Sequence, residues 1–190
     1  MLTISPYSTI GPYFPTALAT DSGDLTRNGA HIAAGQHILL TGRVLEQGGA
    51  PTRNSIIEIW QPDAAGIFRH PLDPRVADAD PGFAGWGRSA TDAEGWYRIR
   101  TVLPGAYTDP VAGLRLAHID VMILAIGLTR RLVTTVFFAE GPDPVLNCVD
   151  AAKRSRLIPV RDVSLDADGA IAYRFDVILR GDGETPFFVD

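Results

Sequence analysis

Short segments of alternating side-chain character, most of them stopped by Gly, Pro or Asp, recur from residue 36 to residue 180. A repeat of two places successive side chains on opposite faces, which is the signature of a strand with one buried face. Gln36 to Glu46 is the first such segment, rich in leucine and β-branched residues and closed by Gln47-Gly48-Gly49-Ala50-Pro51. Asn54 to Gln61 puts Ile56, Glu58 and Trp60 on one face and Ile57 and Ile59 on the other. The turn Thr91-Asp92-Ala93-Glu94-Gly95 leads into Trp96 to Val102. Leu116 to Ile126 and Arg131 to Phe138 are the most apolar segments, which predicts central positions in a sheet. Further on, Ile171, Tyr173, Phe175, Val177 and Leu179 share one face, with Arg174, Asp176 and Arg180 on the other. Many short strands with this punctuation predict an all-β fold, a single β-sandwich.

Helical signal is weak: Asp143 to Ser155 predicts one short helix, with Asp143 as its cap and Pro144 at its first position. Residues 1–35 carry Pro, Thr, Gly and Ser and little periodicity, and predict an extended amino-terminal arm. Residues 62–90, with Pro62, Pro71, Pro74 and Pro81, predict a long structured loop. Loops of this length in a compact domain serve function or an interface, and both stretches are expected to be ordered mainly by a partner. No repeat or linker divides the chain, so its 190 residues predict one domain, 1–190.

A net charge of −5 argues against a nucleic-acid partner, which calls for a basic patch. Cys148 is the only cysteine, so no intrachain disulfide forms and a reducing compartment is expected. Met1 to Pro6 lacks the basic start and apolar core of a signal peptide. Val121 to Leu128 is too short to cross a bilayer. Cytoplasm is the expected location.

His118 and Asp120, two apart on a strand, point to the same side. With a third ligand from His31, His37 or His70 they would make a facial metal triad; without one, the pair satisfies itself by a buried hydrogen bond. Tyr107 follows the turn Leu103-Pro104-Gly105-Ala106, where a tyrosine packs at a sheet edge and finds a backbone partner for its hydroxyl. Ser8, Thr9, Ser89 and Cys148 have no visible general base, and there is no phosphate loop or zinc-type cysteine spacing.

Ile57-Glu58-Ile59-Trp60-Gln61-Pro62-Asp63-Ala64-Ala65-Gly66 resembles the signature of the intradiol ring-cleavage dioxygenase family. Phe68-Arg69-His70, Asp80-Pro81-Gly82-Phe83, Gly87-Arg88, Thr91-Asp92, Pro104-Gly105-Ala106-Tyr107 and Ala117-His118-Ile119-Asp120 follow in the same order. The resemblance implies a β-sandwich. Its catalytic members hold Fe(III) with two tyrosines and two histidines, and those positions fall here at Arg75, Tyr107, His118 and Asp120. A guanidinium has no lone pair to offer a metal. The resemblance therefore implies an iron-free, alpha-type chain of a protocatechuate-cleaving enzyme. Fe(III) would sit in a homologous catalytic beta-type partner within a higher hetero-oligomer, acting on a catechol and O2.

Ser8-Thr9-Ile10-Gly11-Pro12-Tyr13 is similar to an amino-terminal loop that walls the substrate pocket in such chains, which assigns substrate contact to Thr9, Gly11, Pro12 and Tyr13. Gly183 to Phe188 is similar to their carboxyl-terminal stretch, while Thr135 departs from an arginine they often carry. Two other functions fit the residues: a stand-alone metal-dependent dioxygenase using Tyr107, His118 and Asp120, or a non-enzymatic binding sandwich. If the iron positions are a remnant, Arg75 and Asp120 are expected to form an ion pair there, with Tyr107 or His118 hydrogen-bonded alongside.

Overall fold

The computed structural model describes residues 22–188. Two strand pairs of two and three residues apart, the strands form two sheets packed face to face. The chain opens with a hairpin of β1 (Arg27–Asn28) and β2 (His31–Ile32), then β3 (His37–Leu45) and β4 (Ser55–Trp60). β5 (Trp86–Ala90), β6 (Trp96–Val102), the pair β7 (Tyr107–Asp109) and β8 (Gly113–Arg115), β9 (His118–Ala125) and β10 (Leu132–Phe137) follow. After helix α1 (Pro144–Asn147) come β11 (Val160–Arg161), β12 (Ile171–Arg174) and β13 (Val177–Ile178). One sheet has the order β10-β9-β4-β5 and is antiparallel throughout. In the other, β3 pairs with β6 on one side and with β12 and β13 in succession on the other, and β11 lies outside β12.

The core lies between the sheets. Ile57, Ile59, Ile119, Val121, Ile123 and Val136 face inward from the first sheet. Ile38, Leu40, Val44, Tyr97, Ile99 and Val177 meet them from the second. The period-two pattern thus turns directly into burial, because each inward side chain removes its apolar surface from water, worth about 1.5–3 kcal/mol apiece. Gly42 is forced by the packing: a Cβ there would lie 1.9 Å from the carbonyl oxygen of Phe175. The same carbonyl accepts a 2.6 Å hydrogen bond from the buried Tyr97 hydroxyl.

Several expectations change on contact with the fold. Residues 62–90 are not all loop, since Trp86–Ala90 is an edge strand on β4. That strand has no β-branched residue and is held by pairing and by the 2.6 Å Arg88–Glu58 ion pair. The loop before it is anchored within the chain, with Phe83 1% exposed in the core. The described end of the amino-terminal arm is likewise knitted in: Ser22 bridges Arg88, Asp24 bridges Arg100, and Leu25 is fully buried. β10 is an edge strand rather than a central one, its free side touched by Phe188 at Val133. The carboxyl-terminal alternation breaks at Phe175–Asp176, where Asp176 accepts from Arg43 N–H; Ala172, Phe175 and Val177 become the buried residues. The expected helix from Asp143 stops at Asn147, and a 3₁₀ segment, Ala151–Leu157, starts from a new cap at Asp150.

Candidate functional site

The outer face of the first sheet carries His118 and Asp120 on β9, Thr135 and Phe137 opposite them on β10, and Trp60 on β4. Tyr107 reaches this face from β7 because the turn before it is pinned. The Asp63 carboxylate accepts from the N–H groups of Ala65, Ile67 and Asp80, and its carbonyl accepts from Gly105 N–H. Gly66, at φ +77°, lies so close to Ala106 that a Cβ would sit 2.4 Å from its carbonyl oxygen. Asp63 therefore staples the long loop to the Tyr107 turn and brings their rings together. Phe68 meets Tyr107 edge-on at 5.1 Å and stacks on Trp60 at 5.8 Å, and Tyr107 lies 5.7 Å from the His118 ring.

His118 is buried and its tautomer is determined by its neighbours. The Leu116 carbonyl, 2.5 Å from Nδ1, can only accept, so Nδ1 carries the hydrogen. Arg115 Nη2, 3.2 Å from Nε2, can only donate, so Nε2 carries the lone pair. Burial lowers the histidine's pKa and Arg115 pushes it the same way, against the opposite pull of Asp120. The ring is neutral.

Arg115 is held in turn by Asp143, with Nε 3.0 Å from Oδ2, and that oxygen also accepts from Leu116 N–H. The other oxygen of Asp143 caps α1 by accepting from Val145 and Leu146 N–H. Burial raises the Asp143 carboxyl pKa, but these hydrogen bonds and the Arg115 charge hold it below the usual range. Burial also raises the Tyr107 phenol, helped by nearby carboxylates.

The predicted Arg75–Asp120 ion pair is absent. Arg75 turns back onto its own loop, bonding both oxygens of Asp73 through Nε and Nη2, and the Gly66 carbonyl through Nη2. Asp73 lies two residues away and is presented already buried, so the short local contact outcompetes a reach across the site. Asp120 instead accepts from the Thr135 hydroxyl at 3.0 Å. Its nearest approach to His118 Nε2 is 3.9 Å, too long for the expected hydrogen bond. The Tyr107 hydroxyl has no hydrogen-bond partner among the described residues, contrary to the backbone partner expected. None of the other histidines joins His118: His37 bonds Ala33 O, and His70 lies edge-on against Trp60. Thr9, Gly11, Pro12 and Tyr13 lie outside the described residues.

The sequence reading missed Arg115, and saw Asp143 only as a helix cap. An arginine three residues before a buried histidine, at the end of a two-strand ribbon, was the available signal.

A family model for dioxygenases matches residues 9–181. The chain is 40% identical over 188 residues to the protocatechuate 3,4-dioxygenase beta chain of Burkholderia cepacia, covering 92% of this chain and 80% of that one. This chain belongs to the intradiol ring-cleavage dioxygenase family. It is also 34% identical over 204 residues to the protocatechuate 3,4-dioxygenase alpha chain of Pseudomonas putida, covering 99% of this chain and 97% of that one. In fold it is similar to the dioxygenase domain of a carbohydrate-binding fusion protein from a cellulolytic Streptomyces. That match has a TM-score of 0.58 and 24% identity, covering 96% of this chain and all of the other.

Family membership raises the question of a ferric ion, and the residues at the four family positions do not fit one held by two tyrosines and two histidines. Arg75 has no lone pair and is already committed to Asp73. His118 Nε2 faces a guanidinium. Among the described residues, no three or more His, Cys, Asp or Glu side chains gather as a metal cluster. What the arrangement offers is a neutral histidine, a neutral phenol and a carboxylate beside two fixed positive charges.

Proposed function

We propose that this chain is the iron-free, alpha-type subunit of a protocatechuate 3,4-dioxygenase-like enzyme. The observation that carries this reading is Arg75, which stands at the first tyrosine position and is tied to Asp73 and Gly66. The match to an alpha chain along nearly the whole length of both proteins supports it. In this reading a homologous beta-type chain supplies the Fe(III), and the assembly is a higher hetero-oligomer that opens a catechol ring with O2. This chain, one domain of the cytoplasm, contributes a wall of the substrate pocket through Thr9, Gly11, Pro12 and Tyr13. A Gly-Pro pair lets backbone approach a ligand closely and keeps the loop stiff. No helix among the described residues is long and apolar enough to cross a membrane.

Metal analysis of the chain expressed alone tests the reading. No stoichiometric iron and no tyrosinate-to-iron absorption are expected, with ring-cleaving activity appearing only on co-expression with a beta-type chain. One tightly bound iron per isolated chain overturns it. That outcome would favour a second reading, a stand-alone metal-dependent dioxygenase using Tyr107, His118 and Asp120, to which the 40% identity with a beta chain lends weight. An isolated chain that forms no complex with any beta-type partner would favour a non-enzymatic binding sandwich.

A further inference from the structure

The chain has three asparagines, Asn28, Asn54 and Asn147, and one spontaneous reaction is open in principle to each. The backbone nitrogen of the next residue can attack the side-chain amide carbon, provided that nitrogen is free and unhindered. The structure separates the three on this point. Ser55 N–H, next to Asn54, is buried and donates to the Thr91 hydroxyl at 3.0 Å. Cys148 N–H, next to Asn147, donates to the Val145 carbonyl at 3.1 Å as α1 ends. Gly29 N–H, next to Asn28, donates to no acceptor among the described residues. Asn28 and Gly29 stand at the tip of the β1–β2 hairpin, where Asn28 pairs with His31 across the turn. A first turn residue lies outside the hydrogen bond that closes the turn. Gly29 is exposed at φ +60°, and a Cβ added to it would meet nothing within 4 Å. Glycine thus both closes this turn and leaves the nitrogen open to attack.

The Asn28 side chain also joins two parts of the molecule. Its Nδ2 donates to the Pro81 carbonyl at 2.9 Å, at the end of the long loop. Around this contact the hairpin and the loop fit closely. The Asp80 carboxylate accepts from Ala34 N–H at 2.7 Å, and Gly82 presses on Ile32, where a Cβ would lie 2.4 Å from the carbonyl carbon. The Asn28–Pro81 bond is itself exposed, so the amide is released whenever the hairpin opens locally.

We propose that Asn28 is a self-modifying site, converting to aspartate and isoaspartate, and that the conversion unlatches the hairpin from the long loop. The Gly29 nitrogen, its proton lost to solvent, bonds to Asn28 Cγ. The bond from Cγ to Nδ2 breaks and that nitrogen leaves as ammonia, closing a five-membered succinimide. One water then opens the ring at either carbonyl. One opening gives aspartate; the other gives isoaspartate, whose main chain runs through the former side chain and is one carbon longer. No electrons are gained or lost, and water is the only co-reactant. Either product puts a carboxylate where the donor to Pro81 stood, in a corner that already holds Asp80. The inference concerns the hairpin alone and is independent of the reading of the iron positions.

Incubation of the full chain in mildly alkaline and mildly acidic buffer, followed by peptide mapping, tests this, since trypsin leaves the three asparagines on separate peptides. The Asn28 peptide should gain a mass unit at least about tenfold faster than the other two, whose attacking nitrogens must first give up a hydrogen bond. The gain should be faster in the alkaline buffer, and fragmentation should find isoaspartate at position 28. Asn28→Gln should abolish it. Asn28→Asp stands in for the product, and hydrogen exchange should then rise at residues 27–34 and 80–83 while β4 and β9 keep their protection. Circular dichroism reports whether each variant is folded. Should either fail to fold, mapping and exchange on the incubated, unsubstituted chain still decide. No conversion at Asn28, equal conversion at Asn54 or Asn147, or unchanged exchange in a converted chain overturns the proposal.

Discussion

Arg75, one of the four family positions, and Arg115, which abuts another of them at His118, are held in opposite ways. Arg115 is 12% exposed and part of a chain of contacts running from His118 through Asp143, which has no exposure at all, into the first turn of α1. Arg75 is tied within its own loop, to a carboxylate two residues earlier and a carbonyl nine residues earlier. One arginine connects the site to the body of the fold, and the other stays partly exposed. A buried charge with a single ionic partner makes that partner indispensable, whereas a half-exposed pair shares its work with water.

The contrast is broken most directly at Arg115. Arg115→Ala strands the Asp143 carboxylate in the interior and should lower unfolding stability by about 3–5 kcal/mol in urea titration; a loss below about 1 kcal/mol would show that solvent reaches Asp143. Asp143→Asn sharpens the point. An asparagine can still cap α1 through its carbonyl oxygen, but the amide nitrogen in place of Oδ2 cannot accept from Arg115 or from Leu116 N–H, and a cost of about 1–3 kcal/mol is expected. A cost equal to that of Asp143→Ala would mean that the contacts to Arg115, not the cap, dominate.

The pH dependence of stability separates the two members of the buried network. Below about pH 6.5 an unfolded histidine takes up a proton that the folded His118 resists, so the unfolded state binds more protons and stability declines as pH falls through that range. Asp143, held below its usual pKa, contributes stability above about pH 3.9 and loses it as pH drops through its lower folded value. The urea midpoint should thus fall in two stages, and His118→Gln should flatten the upper one; an unchanged upper stage would place its origin elsewhere. The smallest effect is expected at Arg75: Arg75→Ala should cost no more than about 1 kcal/mol, since Arg75 itself is 42% exposed and the Asp73 carboxylate keeps the N–H groups of Phe68 and residue 75. A cost of several kcal/mol would put Arg75 in the same class as Arg115.

Strands were legible where alternation alone decided them. β3, β4, β6 and β9 follow the pattern of the sequence because their inward residues are the apolar ones. β5 was hidden because its pairing comes from a neighbour and an ion pair, neither of which leaves a mark in Trp86-Gly87-Arg88-Ser89-Ala90. Within the site, residue types at the family positions were readable, and so was the inability of Arg75 to hold a metal. Who contacts whom was not. The Arg75–Asp73 and Arg115–Asp143 pairs were decided by local reach and by a helix cap 28 residues downstream of Arg115. Charge matching across a site, the basis for expecting Arg75–Asp120, ignores the entropy of a long side chain that already has a neighbour.

The seating of β12 and β13 alongside β3 has a consequence for how the chain comes to be folded. Arg43 and Asp176, bonded to each other, are 133 residues apart. On a growing chain, one side of β3 stays open until β12 and β13 have emerged, and the carbonyl that fills the hollow over Gly42 arrives only with Phe175. The carboxyl end is thus the keystone of the second sheet. Closing so wide a loop is slow, and it leaves an unpaired, leucine-rich edge exposed in the meantime. A nascent or truncated chain ending before Ile171 would present that edge to its neighbours, so β12 and β13 protect the protein from its own aggregation as much as they complete its second sheet.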